Sequence, residues 1–357
     1  MDHRRLRAAS ALTCTAVLAA AGLAACSVAG PQDQTSGRDH TVTLVTHDSW
    51  ALPKKLVQEF QQESGYTLHV VRNGDAGTLT NKLVLTKDDP LGDVAYGVDN
   101  TFATRAVGAG VFADYTAPGQ PAAVDQYRLT GAAAGQLTPV DWGDVCVNVD
   151  DAWFRAHHLA EPQTLDDLTK PAYRNLLVTP GASSSSPGFA FLLATIAAYG
   201  DGWQSYWRSL LDNGARVVNG WSDAYEVDFT AGGGHGDRPI VVSYNSSPPF
   251  TIPEGGRRPT TSALLGTCFR QVEYAGVLRG AKDPAGAKAL VDFMAERHFQ
   301  EALPDAMYVF PVDPQAALPP LWAKWAPPAP HPLQVAPADI SRHRSEWIRQ
   351  WSDLLSG

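Results

Sequence analysis

The feature that most constrains the fold is an alternation of β and α patterns in the first ordered part of the chain. Five segments show it, with β-branched runs at 41–45, 68–71 and 93–98 and apolar helical repeats at 52–60 and 79–85. Three strands separated by two helices within about 60 residues are typical of βαβ units with a parallel sheet. Ligands of such sheets bind beyond the carboxyl ends of the strands. We therefore expect the functional site at the loops 46–50, 75–78 and 97–101.

The rest of the chain continues the α/β pattern in two parts. Further strands are predicted at 145–149, 176–179, 240–244 and 269–277, and further helices at 189–199, at 284–296 and from Pro337 onward. The order favours two α/β lobes, the second inserted in the first. Lobe one is predicted to span 41–141 and 269–357, and lobe two to span 142–268. The strands that cross between them, near 142–148 and 266–273, would form the hinge.

The N-terminus has the pattern of an export signal. Arginines at positions 4, 5 and 7 precede an apolar stretch that is too short to span a membrane as a helix. Leu23-Ala24-Ala25-Cys26 then resembles the cleavage site of bacterial lipoproteins, in which the cysteine is acylated. We predict a signal peptide at 1–25 and a flexible tether at 26–40. The mature protein would then be anchored through Cys26 on the outer face of the cytoplasmic membrane or in the periplasm. A plain signal peptide with an incidental cysteine is the alternative.

The net charge and the cysteine content limit the classes of function that the protein can have. The formal charge of −9 over 357 residues argues against nucleic acid or an anionic lipid surface as the main partner, and is compatible with a cationic ligand. Outside the cytosol, Cys146 and Cys268 are expected to be oxidised, since thiols are not kept reduced there. A disulfide between them is favoured over two buried free thiols.

A serine-rich loop precedes the helix predicted at 189–199. Within the run 181–188, Ser186 is predicted as the N-cap and Pro187 as the first helical residue. Hydroxyls and free backbone N–H groups at a helix N-terminus can hold an anion. On the residues alone, a helix that is merely well capped is the alternative.

Seven short motifs are distributed along the chain. They are Thr46-His47-Asp48-Ser49-Trp50, Asp93 with Gly97-Val98-Asp99-Asn100, Val140-Asp141-Trp142-Gly143, Ser185-Ser186-Pro187-Gly188, Gly220-Trp221-Ser222-Asp223-Ala224-Tyr225, Ser243-Tyr244-Asn245-Ser246-Ser247-Pro248 and Gln271-Val272-Glu273. Together they resemble one family, the thiamine-binding proteins of bacterial ABC importers. The resemblance implies a two-lobed, type II periplasmic-binding-protein-like fold that closes on thiamine or its phosphates. It also implies delivery of the ligand to permease subunits in the membrane. The chain lacks the phosphate-binding Gly-x-x-x-x-Gly-Lys-Ser/Thr loop of an ATPase.

The resemblance also implies a set of ligand-binding residues. Aromatic faces attract the cationic thiazolium ring, carboxylates balance its charge, and a serine-capped helix suits a phosphate arm. The predicted set is His47, Asp48, Ser49, Trp50, Asp75, Ser185, Ser186, Trp221, Tyr225, Tyr244, Asn245, Ser246 and Tyr308. Two of these depart from the family: His47 stands where relatives often carry Tyr, and Tyr308 where they usually carry Trp.

Other functions explain the residues less well. A polyamine-like cation would need mostly carboxylates along a groove, and the ferric-binding relatives use adjacent tyrosines that this chain lacks. Ser222 gives only a near miss of the Gly-x-Ser-x-Gly elbow of hydrolases. We therefore expect a monomeric binding protein that is not an enzyme, with no cofactor and no resident metal.

Overall fold

A computed structural model describes residues 40–357 of the chain. Within them, nine strands form one continuous sheet in the order β2-β1-β3-β8-β4-β7-β5-β6, and β9 pairs with β4. The strands are β1 (Thr41–Thr46), β2 (Thr67–Arg72), β3 (Val94–Asp99), β4 (Thr138–Asp150), β5 (Leu177–Pro180), β6 (Arg216–Val218), β7 (Ile240–Tyr244), β8 (Thr261–Val277) and β9 (Phe310–Pro311). Every predicted strand is present. The strands predicted at 145–149 and 269–277 are the carboxyl-terminal parts of the much longer β4 and β8.

Helices cover both faces of this sheet. They are α1 (Lys54–Ser64), α2 (Ala76–Leu85), α3 (Ala103–Gly108), α4 (Asp151–Ala156), α5 (Ser186–Tyr199), α6 (Trp203–Asp212), α7 (Pro284–Ala295), α8 (Arg297–Met307), α9 (Trp322–Trp325) and α10 (Pro337–Leu355). The N-cap prediction for α5 is wrong by one residue. Ser185 is the cap, because its hydroxyl accepts the Gly188 N–H, and Ser186 is already helical.

The predicted βαβ progression is confirmed. Strand β1 pairs in parallel with β2 on one side and with β3 on the other. Gly65 ends α1 in the left-handed conformation that glycine adopts readily, and the Asp75 carboxylate caps α2. These turns place the loops after β1 and β3 and the start of α2 at the carboxyl ends of the strands.

The two longest strands, β4 and β8, pair antiparallel at the centre of the sheet. The predicted disulfide is confirmed: Cys146 on β4 is bonded to Cys268 on β8. Close to it, Arg270 donates two hydrogen bonds, of 2.8 and 2.9 Å, to the carboxylate of Asp144. The two crossing strands are therefore joined by a covalent bond and an ion pair in addition to the sheet ladder.

Side chains along each strand alternate between the two faces of the sheet, and they pack in two large hydrophobic cores on its opposite faces. Val42 and Leu44 of β1 pack in the core under α1, α7 and α8, whereas Val45 packs in the core that includes α5 and α6. The final helix is docked as predicted, since Ile340 and Trp351 are buried in this second core.

Two predictions remain open at the level of the fold. The signal peptide, Cys26 and all but the last residue of the tether lie outside the described residues. The boundaries of the two lobes and the hinge also stay predictions. Within residues 40–357, no helix is both long and apolar enough to cross a membrane.

Candidate ligand-binding site

A pocket brings together six residues of the predicted set. It contains about 610 Å³ of space free of protein atoms, part of it open to solvent. The six are His47, Ser49, Asp75, Trp221, Tyr244 and Tyr308. Apart from His47 and Ser49, they are far apart in sequence, and the fold makes them neighbours.

Each side chain reaches the pocket from the end of an element. His47 directly follows β1, Asp75 caps α2, and Tyr244 is the last residue of β7. Tyr308 follows α8 in a left-handed conformation, with φ of 61°. The placement agrees with the expectation that ligands of α/β sheets meet the carboxyl ends of strands.

Three aromatic residues form what we call the aromatic wall: Trp221, Tyr225 and Tyr308. The rings of Trp221 and Tyr225 are stacked, with centroids 5.0 Å apart, and the Tyr308 ring lies 5.6 Å from Trp221. The indole N–H of Trp221 donates to Ser243 Oγ at 2.9 Å, which fixes the ring. Trp221 and Tyr308 line the pocket, whereas Tyr225 supports Trp221 from behind.

The carboxylate of Asp75 lies at the N-terminus of α5, where the sequence predicts the phosphate arm of a ligand. It accepts the backbone N–H of Trp221 at 2.9 Å and that of Ala76 at 2.6 Å. The Ser185 hydroxyl and the Ser186 N–H lie nearby and also favour its charged form. Burial raises the pKa of Asp75, and these four donors oppose that rise. An anion of the protein itself therefore uses donors that were predicted for a phosphate.

A second polar group, which we call the acidic floor, consists of Asp141, Glu273, Tyr96 and His47. All four are buried, and Glu273 and His47 line the pocket. The Tyr96 hydroxyl donates to Asp141 and lies 3.2 Å from Glu273 Oε2. His47 Nε2 lies 3.8 Å from the same oxygen and has no hydrogen-bond partner.

Burial governs the charge of the acidic floor. It raises the pKa of Asp141 to about 7, and hydrogen bonds from Tyr96 and Glu273 oppose that rise. Burial, and then the charge of Asp141, raise the pKa of Glu273 well above its usual range. Burial lowers the pKa of His47, against the attraction of Glu273. The imidazole is therefore disposed to be neutral, and the two carboxyls to retain a proton.

His47 needs a glycine beside it. Gly97 has φ of +96°, and a Cβ there would lie 2.1 Å from His47 Cδ2. The strand is bulged at this point, between Tyr96 and Val98. The Gly97 seen in the sequence motif thus makes room for the imidazole at the carboxyl end of β3.

The other predicted residues lie around the pocket rather than in its wall. Asp48 lines a neighbouring hollow and accepts the Gly74 N–H, and Trp50 packs in the hydrophobic core against Tyr96. Ser185 and Ser186 are buried at the start of α5. Asn245 bonds to the backbone of Asp144 and Pro327, and Ser246 donates to the Tyr308 carbonyl. Their direct contact with a ligand stays a prediction, and Ser246 supports the aromatic wall through the backbone.

The sequence reasoning missed several lining residues. They are Ala51, Pro187, Glu226, Glu273, Ala306, Met307 and Val309. Glu273 was the detectable one, because a glutamate inside a long apolar β pattern must be buried, and a buried acid needs a reason. Met307 and Val309 flank Tyr308 on a turn that has no local signature of a site.

The possible metal ligands lie elsewhere. Among the described residues, the one group of histidine and acidic side chains close enough to share an ion is Glu63, Glu296 and His298. None of the three lines the pocket. Ser222 has helical backbone angles, and its hydroxyl lies 3.4 Å from that of Ser49. That geometry differs from the strand-to-helix elbow of a hydrolase nucleophile.

Comparison with known proteins agrees with the motifs. A family model described as bacterial extracellular solute-binding protein matches residues 89–232. The thiamine-binding periplasmic protein of Brucella suis biovar 1 is 28% identical over 324 residues, which cover 87% of this chain and 91% of the relative. The protein of the same name from Escherichia coli K12 is 27% identical and covers 88% and 93%.

Solved structures give the same result for the fold. A periplasmic thiamin binding protein superposes with a TM-score of 0.77 at 25% identity, covering 89% of this chain and 96% of that one. Iron-bound HitA from Pseudomonas aeruginosa has a TM-score of 0.67 at 18% identity, covering 88% and 99%, and shows the fold alone. The fold is that of the type II periplasmic binding proteins, as the sequence predicted, and the resemblance found in the motifs is confirmed.

Proposed function

We propose that this chain, which has the fold and sequence similarity of an extracytoplasmic solute-binding protein, captures thiamine or one of its phosphates for an ABC importer. The ligand is thiamine, thiamine monophosphate or thiamine pyrophosphate. The loaded protein delivers it to the permease subunits in the membrane. The relatives similar over most of the chain are named as thiamine-binding periplasmic proteins, which supports this ligand.

One observation carries the proposal: the pocket combines an aromatic wall with two carboxyl groups, one of which, that of Glu273, is buried. Trp221 and Tyr308 offer ring faces, while Glu273 and Asp75 offer oxygens. A flat ring with a permanent positive charge is stabilised by both, and each aromatic contact contributes about 0.5–2 kcal/mol, depending on desolvation. Thiamine combines such a ring with a planar aminopyrimidine.

The predicted lobes would both contribute to the pocket. His47, Asp75, Glu273 and Tyr308 fall in the ranges of lobe one, whereas Trp221 and Tyr244 fall in lobe two. A ligand that contacts both favours the closed arrangement through its higher affinity for that state. Hinge motion would then occur along β4 and β8, near 142–148 and 266–273.

The location follows from the N-terminal pattern. Acylation of Cys26 after removal of residues 1–25 would hold a monomeric protein at the outer face of the membrane, close to the permease. Replacing Cys26 with Ser should release the protein from the membrane fraction, which immunoblotting of fractionated cells detects. Retention of that variant in the membrane would contradict the lipid anchor.

Binding without catalysis is the function that the geometry supports. The hydroxyl of Ser222 lies in a helical turn beside Ser49, and the Tyr96 hydroxyl of the floor contacts the carboxyl groups of Asp141 and Glu273. Another small cation, such as a polyamine, would bind to the carboxylates but would not need the ring faces of the aromatic wall.

Native mass spectrometry of the protein, purified without added ligand, tests the proposal. We expect an added mass equal to thiamine or one of its phosphates, because tight binders often carry their solute through purification. A protein purified empty should take up thiamine on addition. A bound polyamine or metal ion, or no uptake of thiamine at millimolar concentration, would contradict the proposal.

A further inference from the structure

Two carboxyl groups, those of Asp141 and Glu273, lie beneath the pocket. Asp141 of β4 and Glu273 of β8 are directly paired across the antiparallel ladder, so their side chains lie on one face of the sheet. Asp141 is 0% exposed and Glu273 is 5% exposed. Glu273 also lines the pocket, so the pair joins the pocket to the sheet.

The hydrogen bonds around the pair are one donor short. Tyr96 donates to Asp141 Oδ2, and Gln271 Nε2 donates to Glu273 Oε1 at 3.2 Å. Asp141 Oδ1 is buried with no partner. A proton held by Glu273 and donated to Asp141 would satisfy that oxygen. It would also avoid two adjacent buried negative charges, which cannot both ionise at low cost.

The groups that face the pair come from three neighbouring elements. His47 faces it from the loop after β1, Tyr96 from β3, and Tyr244 of β7 through Gln271. Asp99 adds negative charge near Glu273 and Asp75 near Tyr244, and the positive charge of Arg72 acts on His47. Among residues 40–357, no lysine or arginine bonds to Asp141 or Glu273, and Nε2 of His47, 94% buried, is unpartnered.

We propose that Asp141 and Glu273 share one proton while the pocket is empty and release it when a cationic ring enters, so that the pair selects a ligand by its positive charge. This inference rests on the proposed function. The balance is one cation in and one proton out to solvent: the pair goes from one negative charge to two, and the net charge of the pair plus the ligand stays at one negative charge. The raised pKa values of both carboxyls agree with a proton held near neutral pH.

The sign of the pH dependence follows from this exchange. The ligand prefers the form of the pair that has lost its proton, so affinity rises as the pH rises and falls as the pH falls. One linked proton changes the dissociation constant by up to roughly tenfold per pH unit. A protonated His47 would repel a cation and would therefore also lower the affinity at low pH. Variants must distinguish its effect from that of the carboxyl pair.

Isothermal titration calorimetry of the full-length protein with thiamine measures the exchange directly. Titrations at one pH in buffers of different ionisation enthalpy, such as Pipes and Tris, give the number of protons released. We expect roughly one proton per thiamine near neutral pH. Thiamine binding with no proton release at any pH between 6 and 8 would overturn the inference and leave the proposed function intact. Absence of thiamine binding would overturn both.

Three variants identify the source of the proton. Glu273→Gln should abolish the release and weaken binding at least tenfold. Asp141→Asn removes the neighbouring charge, so Glu273 ionises more easily, and the release should fall while affinity at pH 6 is retained or improved. His47→Gln should keep the release. Loss of the release in His47→Gln but not in Glu273→Gln would assign the proton to the imidazole and overturn the inference.

Discussion

The acidic floor and the aromatic wall line the same pocket but are built in different ways. Asp141, Glu273 and Tyr96 lie on paired strands of the central sheet, whose backbone groups are held by the ladder. Trp221 lies in a short helical segment after β6, and Tyr308 follows the end of α8. Residues at the ends of elements open and shift at lower cost than those in a central ladder. We infer that charge recognition is fixed in the sheet, while the surfaces that enclose the ring belong to parts that can move.

The largest effect should come from the covalent support of the floor. Replacing Cys146 and Cys268 together with Ala removes a cross-link between residues 122 apart. It should lower the free energy of unfolding by about 2–5 kcal/mol, since the unfolded chain regains entropy. Guanidinium denaturation measures the change. If the floor and the wall differ as described, thiamine affinity should change far less than stability does.

Two results would contradict this contrast between the acidic floor and the aromatic wall. A loss below about 1 kcal/mol would mean that the sheet ladder alone holds the strands. A loss of affinity as large as the loss of stability would mean that the floor is not fixed independently of the cross-link. Titration of the wild type with and without reductant provides the control.

Removal of the main ring of the wall should have the next largest effect. Trp221→Ala should weaken thiamine binding at least tenfold, which corresponds to about 1.4 kcal/mol, because the cation loses its main aromatic face. Calorimetry measures it. Trp347→Ala is the matched control, since Trp347 is partly buried on α10 and does not line the pocket. Unchanged affinity in Trp221→Ala would show that the wall is misplaced.

Replacing Asp75 tests how the pocket binds a ligand that carries a phosphate. Asp75→Asn keeps the size and the helix-capping ability of the side chain but removes a negative charge from the start of α5. The affinity for thiamine monophosphate relative to thiamine should rise roughly threefold to tenfold, because two anions then no longer compete for the same donors. Competition titrations measure the ratio. Asp223→Asn, at the rim of the neighbouring hollow, is the control. An equal rise of the affinity ratio in that variant would mean that any lost negative charge has this effect, wherever it lies.

The smallest effect should come from Tyr308. Tyr308→Trp enlarges the aromatic face beside Trp221 and should raise thiamine affinity about twofold to fivefold, since Trp is the stronger partner for a cation. Tyr115→Trp, outside the pocket, makes the same change as a control. A weaker complex in Tyr308→Trp would indicate that the rings are already closely packed around the ligand.

The sequence predicted the wall much better than the floor. Trp221, Tyr225 and Tyr308 are conspicuous aromatic residues, and one short motif contains both Trp221 and Tyr225. Asp141 and Glu273 become one site only through the register of β4 with β8, and no local pattern records a pairing between strands so far apart in the chain. The serine loop shows a related limit. Its donors were predicted, but the contact that brings Asp75 to them depends on tertiary structure.

The predicted limits of two strands are wrong for a similar physical reason. Strands β4 and β8 extend well before the apolar runs that predicted them, because polar residues such as Asp141 and Asp144 are buried with partners across the sheet. Propensity and alternation cannot show such partners. Gly65 and Gly97, by contrast, stand where the structure has a helix end and a bulge.

A crystal structure of the protein with thiamine would show where the cationic ring lies. We expect the thiazolium ring against the face of Trp221, within about 6 Å of the indole centroid, with Glu273 as the nearest carboxyl group of the floor. A ligand held elsewhere, for instance in the hollow lined by Arg155, Arg258 and Lys324, or a thiazolium ring remote from both the wall and the floor, would contradict it.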